Sequence, residues 1–217
     1  MKALIIQHEE STPPGSTKEW LENRNIGYTL LFSHEIIKNQ TIHDFDFLII
    51  CGGSMNVDQE NLHPWLKNEK ELISYYVEKN KKIVGLCLGG QLLAEILGGE
   101  VHQLPFWEVG WQKIKLENEK PLFVFQWHSY AFSLPPYAHL LASSEAWPIQ
   151  AFSYGKNILA VQYHPETTVE WALECAADPN VPLPSQFVQS SKEIESGVVY
   201  QKEMQEWYFK QLDLLIQ

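Results

Sequence analysis

The chain has 217 residues, 45% of them apolar and 20% charged, which is the profile of an ordinary soluble globular protein with room for one sizeable core. Eight Trp, nine Tyr and ten Phe exclude intrinsic disorder. Sixteen basic against 27 acidic residues, a net charge of −11, argue against nucleic acid and an anionic membrane surface as partners. Cys51, Cys87 and Cys175 form an odd, sparse set that suits a reducing cytoplasm rather than a disulfide framework. Neither a signal peptide nor an apolar run of the roughly 20 residues that span a membrane is evident.

In chain order, residues 3–6 read as a short apolar strand and residues 16–25 as a helix. Tyr28 to Phe32 and Phe45 to Cys51 read as strands, the latter running into Gly52-Gly53. Pro64 marks a helix start, and Trp65, Leu66, Leu72, Ile73, Tyr76 and Val77 keep helical spacing after it. Lys82 to Leu86 is a near-continuous apolar strand, and Gly89 to Leu97 a helix closed by Gly98-Gly99. This alternation predicts a parallel sheet with helices on both faces. From Val101 to Val161 short strands separated by turns predict antiparallel additions. A helix is predicted from Thr167 with a capping box to Glu170. A proline-rich loop follows, and then a mostly helical segment from about 185 to 217, with Met204, Trp207, Tyr208, Gln211, Leu212 and Leu215 on one stripe. No repeat or linker divides residues 1–217, so a single domain with a C-terminal helical extension is expected.

Two motifs carry chemistry. Gly85-Leu86-Cys87-Leu88-Gly89 sits where a buried strand meets a helix, the form of a nucleophile elbow with Cys in place of Ser. Such a turn is sharp, needs residues without a Cβ nearby, and aims a helix N-terminus at the sulfur, which favours thiolate. The second motif is His164-Pro165-Glu166, directly after the strand that begins at Ile158. An extended chain would set Glu166 beside His164 and fix its tautomer, giving the thiol a base held by a carboxylate. Taken alone, Cys87 reads as a small buried apolar residue and His164 as an ordinary strand-end histidine. Together they favour catalysis. The remaining histidines, at 8, 34, 43, 63, 102, 128 and 139, show no metal-ligand spacing, and no phosphate loop is present, so neither metal nor cofactor is expected.

The block Gly85-Leu86-Cys87-Leu88-Gly89-Gly90-Gln91 and the block Val161-Gln162-Tyr163-His164-Pro165-Glu166 resemble the two signature segments of class I glutamine amidotransferases, particularly the glutaminase domain of GMP synthase and its stand-alone relatives. Cys51-Gly52-Gly53-Ser54-Met55, Glu108-Val109-Gly110-Trp111 and Trp127-His128-Ser129 resemble further family segments, so the likeness covers about residues 3–175. It implies an α/β, flavodoxin-like three-layer sandwich with a mostly parallel central sheet and added antiparallel strands. It also implies a triad in which Cys87 attacks the side-chain amide of glutamine, His164 moves the proton and Glu166 orients His164. By the same resemblance, backbone N–H groups of Gly53 and Leu88 hold the oxyanion, and Gln91 with Glu108, Val109 and Gly110 binds substrate. Trp111 and Trp127 read as core aromatics.

The chain departs from the family in two ways. Tyr130 stands where an acidic residue often follows the His-Ser pair, and the length leaves no room for an ATP-pyrophosphatase domain. The expectation is a hydrolase or transferase acting on a small-molecule substrate, with any ammonia acceptor on a separate synthetase chain. A stand-alone γ-glutamyl hydrolase with the same triad and a non-catalytic binding module on the same fold remain open alternatives.

Overall fold

The structure is a computed structural model that describes residues 1–38 and 42–217. Its first part runs β1 (Lys2–Gln7), α1 (Ser16–Asn23), β2 (Gly27–Phe32), a 3-10 helix (Ser33–Lys38), β3 (Phe47–Ile50), α2 (Trp65–Glu78), β4 (Lys82–Leu86) and α3 (Leu88–Ile96). The second part adds β5 (Val101–Leu116), β6 (Leu122–Phe132), β7 (His139–Ser144), β8 (Ala151–Tyr154) and β9 (Ile158–Val161). It closes with α4 (Val169–Ala176), α5 (Ser191–Gly197), a short 3-10 turn and α6 (Gln201–Ile216).

The strands form one nine-stranded sheet in the order β2-β1-β3-β4-β9-β8-β7-β5-β6. From β2 to β9 every neighbour is parallel, and from β9 to β6 every neighbour is antiparallel. Successive side chains on a strand point to opposite faces, so an unbroken apolar strand supplies two cores at once. Ala3 and Ile5, Phe47 and Ile49, and Leu159 and Val161 go to one core with α1, α4 and α6. Leu4 and Ile6, Leu48 and Ile50, and Ile158 and Ala160 go to the other with α2 and α3. The result is the expected three-layer α/β sandwich with a parallel centre and an antiparallel extension.

Two local expectations are corrected. Thr168, not Thr167, caps α4 by accepting the Trp171 N–H, because the Thr167 hydroxyl donates to the His164 carbonyl at 2.7 Å. The capping box lies instead at Ser190 and Glu193, where helix resumes; residues 185–190 are non-helical. The C-terminal helical extension packs its stripe inward: Met204, Trp207, Tyr208, Leu212 and Leu215 are buried in the same core as β1, β3 and β9. Tyr208 and Thr17 join hydroxyls at 3.0 Å across that core, and the Lys82 ammonium donates to the Leu215 carbonyl at 2.6 Å. No helix among the described residues is long and apolar enough to cross a membrane.

Candidate active site

Four adjacent parallel strands, β1, β3, β4 and β9, release the chain at the same edge of the sheet, the place where open α/β sheets bind ligands. His8 follows β1, Cys51 to Ser54 follow β3, Cys87 follows β4, and Gln162 to Glu166 follow β9. A cavity of about 350 Å³ opens there, with Gly53, Cys87, Gln91, His128 and His164 in its wall.

Cys87 lies between β4 and α3 with φ 51° and ψ −106°. A non-glycine residue in this region is held there at a cost, and such strain clusters where a side chain must be presented. Close packing explains the flanking glycines. A Cβ on Gly85 would stand 2.4 Å from the Gly89 carbonyl oxygen, and one on Gly89 would stand 2.4 Å from that of Ile50. The Cys87 N–H donates to Val161 O at 2.9 Å, which ties the elbow to β9. Leu88 is the first residue of α3, so its N–H has no partner within the helix, and the positive end of the helix lies at the thiol.

His164 reaches the cavity by a turn and not by extended backbone. Strand β9 ends at Val161, and the Thr167 N–H closes a turn on the His164 carbonyl at 3.2 Å. That turn carries Glu166 back to the imidazole, whose Nδ1 lies 2.8 Å from Glu166 Oε1. Both side chains are buried, His164 at 3% exposure and Glu166 at 0%. Trp171 packs edge-on against the imidazole at 5.1 Å between centroids. Burial opposes the imidazolium, but Glu166 and Cys87 outweigh it and push His164 up to about 10. Cys51 and Cys175 are shifted upward as well, which keeps both as neutral thiols. Burial, with Glu166 and Glu69, drives Cys51 well above its usual value, and burial with Asp178 and Glu174 pushes Cys175 up to about 12.

The other residues singled out in the sequence divide. Gly53 lines the cavity and packs against Leu88. Gln91 also lines it, but its amide nitrogen donates to Tyr130 O at 3.1 Å and to Gln162 Oε1 at 3.3 Å. Gln162 in turn lies with Nε2 3.8 Å from Cys87 Sγ, a contact that residue pattern alone does not reveal. Glu108, Val109 and Gly110 are not brought to the cavity wall. Glu108 accepts from Gln150 at 2.9 Å and lies 3.2 Å from His128 Nε2; the Val109 N–H donates to Phe187 O; and Gly110, at φ +90°, faces Gln189. The β5–β6 pairing breaks register between Gln103 and Glu108, and within that break Trp107, just ahead of them, lines the wall instead. Trp111 is buried as a core residue, whereas Trp127 lines the cavity.

The chain is similar to known proteins over most of its length. The family model for Glutamine amidotransferase class-I matches residues 18–172. The glutamine amidotransferase-like protein YfeJ of Salmonella typhimurium is 32% identical over 189 residues, covering 78% of this chain and 77% of its own. A subunit of the glutamine-hydrolyzing GMP synthase of Sulfurisphaera tokodaii is 31% identical over 137 residues, covering 58% of this chain and 70% of its own. The crystal structure of a glutamine amido transferase from Methylobacillus flagellatus superposes with a TM-score of 0.90 at 27% identity, covering 99% of this chain and 94% of that one.

Proposed function

The chain belongs to the class-I glutamine amidotransferase family, and on that premise we propose that it hydrolyses the side-chain amide of glutamine through Cys87, His164 and Glu166, releasing ammonia to a separate synthetase. The observation that carries the proposal is the strained, buried Cys87 elbow facing an imidazole that Glu166 holds at 2.8 Å.

Cys87 Sγ adds to the amide carbon with its proton already carried by His164, whose imidazolium Glu166 and Cys87 favour. The N–H groups of Gly53 and Leu88 receive the charge that develops on oxygen. His164 then gives its proton to the departing nitrogen, so ammonia leaves and a γ-glutamyl thioester remains. Water, deprotonated by the same imidazole, cleaves the thioester to glutamate and the free thiol. Glu166 exchanges no proton in this cycle; it keeps Nε2 turned to the sulfur and stabilises the imidazolium.

A second reading has its own support. The aromatic rim of the cavity includes Trp107, 41% exposed, and Trp127, a surface on which a leaving group bulkier than ammonia can rest. On that reading the substrate is a γ-glutamyl peptide or amide, cleaved by the same steps.

Ammonia release from glutamine and amine release from a panel of γ-glutamyl peptides decide between the two. Mass spectrometry of protein treated with a glutamine-derived chloroketone is expected to find the label on Cys87. A label on Cys51 or Cys175 refutes the assignment of the nucleophile, and a protein inert to every substrate refutes the hydrolytic reading.

A further inference from the structure

A second buried histidine–carboxylate pair adjoins the cavity, and the mechanism above does not use it. His8 leaves the end of β1, and Glu69 lies on the buried face of α2 among Leu66, Ile73 and Tyr76. Both side chains are wholly buried. His8 Nε2 lies 3.1 and 3.2 Å from the two oxygens of Glu69, and Nδ1 lies 2.8 Å from the Gly52 carbonyl oxygen. A carbonyl oxygen can only accept, and so can an ionised carboxylate. A neutral imidazole facing an ionised Glu69 would therefore leave one of these buried contacts without a proton, at a substantial cost. The pair holds two protons, and in either way of sharing them Nδ1–H donates to Gly52. Burial opposes the imidazolium, yet Glu69 raises His8 above the ordinary histidine value.

The Gly52 carbonyl and the Gly53 N–H belong to one peptide unit. That unit is trans, so the two bonds point in opposite directions. Pinning the carbonyl to His8 therefore turns the Gly53 N–H away from His8. Among the described residues that N–H donates to no protein group, and Gly53 lines the cavity into which Cys87 opens. A Cβ on Gly53 would meet His8 Cβ at 2.9 Å and Leu88 Cδ2 at 3.1 Å, so the peptide is clasped between His8 and the elbow. The residue beyond is held too. Ser54 donates from its N–H at 2.9 Å and from its hydroxyl at 2.8 Å to the carboxylate of Glu9. Consecutive residues His8 and Glu9 thus grip the consecutive peptide units Gly52–Gly53 and Gly53–Ser54.

We propose that His8, backed by Glu69, is a positioning residue that fixes and polarises the Gly52–Gly53 peptide for oxyanion stabilisation. A donor on the carbonyl oxygen of an amide draws charge from its nitrogen and makes the N–H a stronger donor. The proposal rests on the acyl-transfer reading given above.

The test compares wild type with the double variant His8→Phe, Glu69→Leu, which removes both polar partners and leaves no orphaned charge, and with Glu69→Gln, which keeps the Nδ1–H contact without the negative charge. In the double variant kcat is expected to fall about 10²-fold, the scale of losing an oxyanion donor, with KM little changed. Glu69→Gln should fall between it and wild type. Alkylation of Cys87 by iodoacetamide supplies the readout that a merely structural role would not spare. That displacement occurs at a saturated carbon and forms no oxyanion, so its rate is expected to stay at the wild-type value in both variants. Alkylation that falls in step with kcat, or variants with undiminished kcat, overturn the proposal while the acyl-transfer reading stands. Wild-type protein that alkylates at Cys87 but releases neither ammonia nor amine overturns that reading and this inference with it.

Discussion

A Cβ on Gly52 would stand 2.6 Å from Cε1 of His164, so the strand that ends in the glycine loop reserves the space in which the imidazole sits. The next residue that Cβ would meet is Thr12, through a methyl group at 3.0 Å. Gly52→Ala is therefore expected to displace the imidazole more than it disturbs the fold. A shift near 1 Å of a catalytic group can cost about 10²-fold in rate. Steady-state kinetics beside a thermal melt check this: kcat/KM should drop by about that factor while the melting temperature moves little. Unchanged kinetics would show that the imidazole tolerates displacement.

The three members of the proposed triad are expected to differ in the damage their loss does. Cys87→Ala should be at least as severe as His164→Ala, and both worse than Glu166→Gln. Loss of an orienting carboxylate costs about 10⁴-fold in the serine enzymes. The helix N-terminus at Cys87 should make a thiol less dependent on such help. Kinetics of the three folded variants settle the order. A Glu166→Gln protein as inactive as Cys87→Ala would mean that Glu166 does more than orient.

Stability should carry the signature of the buried His164–Glu166 pair. The folded value of His164, about 10, lies above the unfolded value of 6.5. A group raised on folding stabilises fully below its unfolded value, and that contribution is lost as pH rises through the folded one. From pH 6.5 to about 8.5 the urea midpoint of wild type should therefore fall more steeply than that of the neutral double variant His164→Gln, Glu166→Gln. Parallel slopes would count against a charged pair in the folded protein.

The Tyr208–Thr17 hydroxyl contact spans α6 and α1 inside the core. Tyr208→Phe leaves the Thr17 hydroxyl buried and alone, which should lower stability by about 1–3 kcal/mol. Adding Thr17→Val removes the orphan and should recover part of the loss. Urea unfolding of the single and double variants measures both, and a double variant no more stable than Tyr208→Phe alone would rule out the orphaned hydroxyl as the cause.

The elbow and the strand end at His-Pro-Glu were legible because each is carried by a few consecutive residues, whereas the turn that returns Glu166 to His164 and the approach of Gly89 to Ile50 were not. The layers were legible for the same reason, since uninterrupted apolar strands such as Phe47–Ile50 must be covered on both faces. The His8–Glu69 pair was not, because its members lie 61 residues apart and meet only when β1 and α2 pack. Its one trace was a glutamate on the stripe of Leu66, Ile73 and Tyr76, where an apolar residue would be expected. Thr167 fits the capping pattern in sequence, but tertiary structure commits its hydroxyl to the His164 turn. The break in register ahead of Glu108, where Trp107 lines the cavity wall, depends on pairing between β5 and β6, which residue spacing does not reveal.

The burial of α6 also sets an order in time. During synthesis the elbow at Cys87 and the imidazole at His164 both precede α6, whose Tyr208 completes the contact with Thr17 and whose Trp207 lies 5.9 Å from Tyr163, beside His164. A nascent chain that stops short of Gln201 already has the proposed nucleophile and base but lacks the helix that packs on Tyr163, the residue before that base. Enhanced thiol reactivity should accordingly arise late, when that helix emerges from the ribosome, so that an unfinished polypeptide is spared from trapping passing electrophiles. Pulsed alkylation of stalled nascent chains of increasing length reads this directly: Cys87 reactivity that rises before α6 is exposed would show that the site assembles without it.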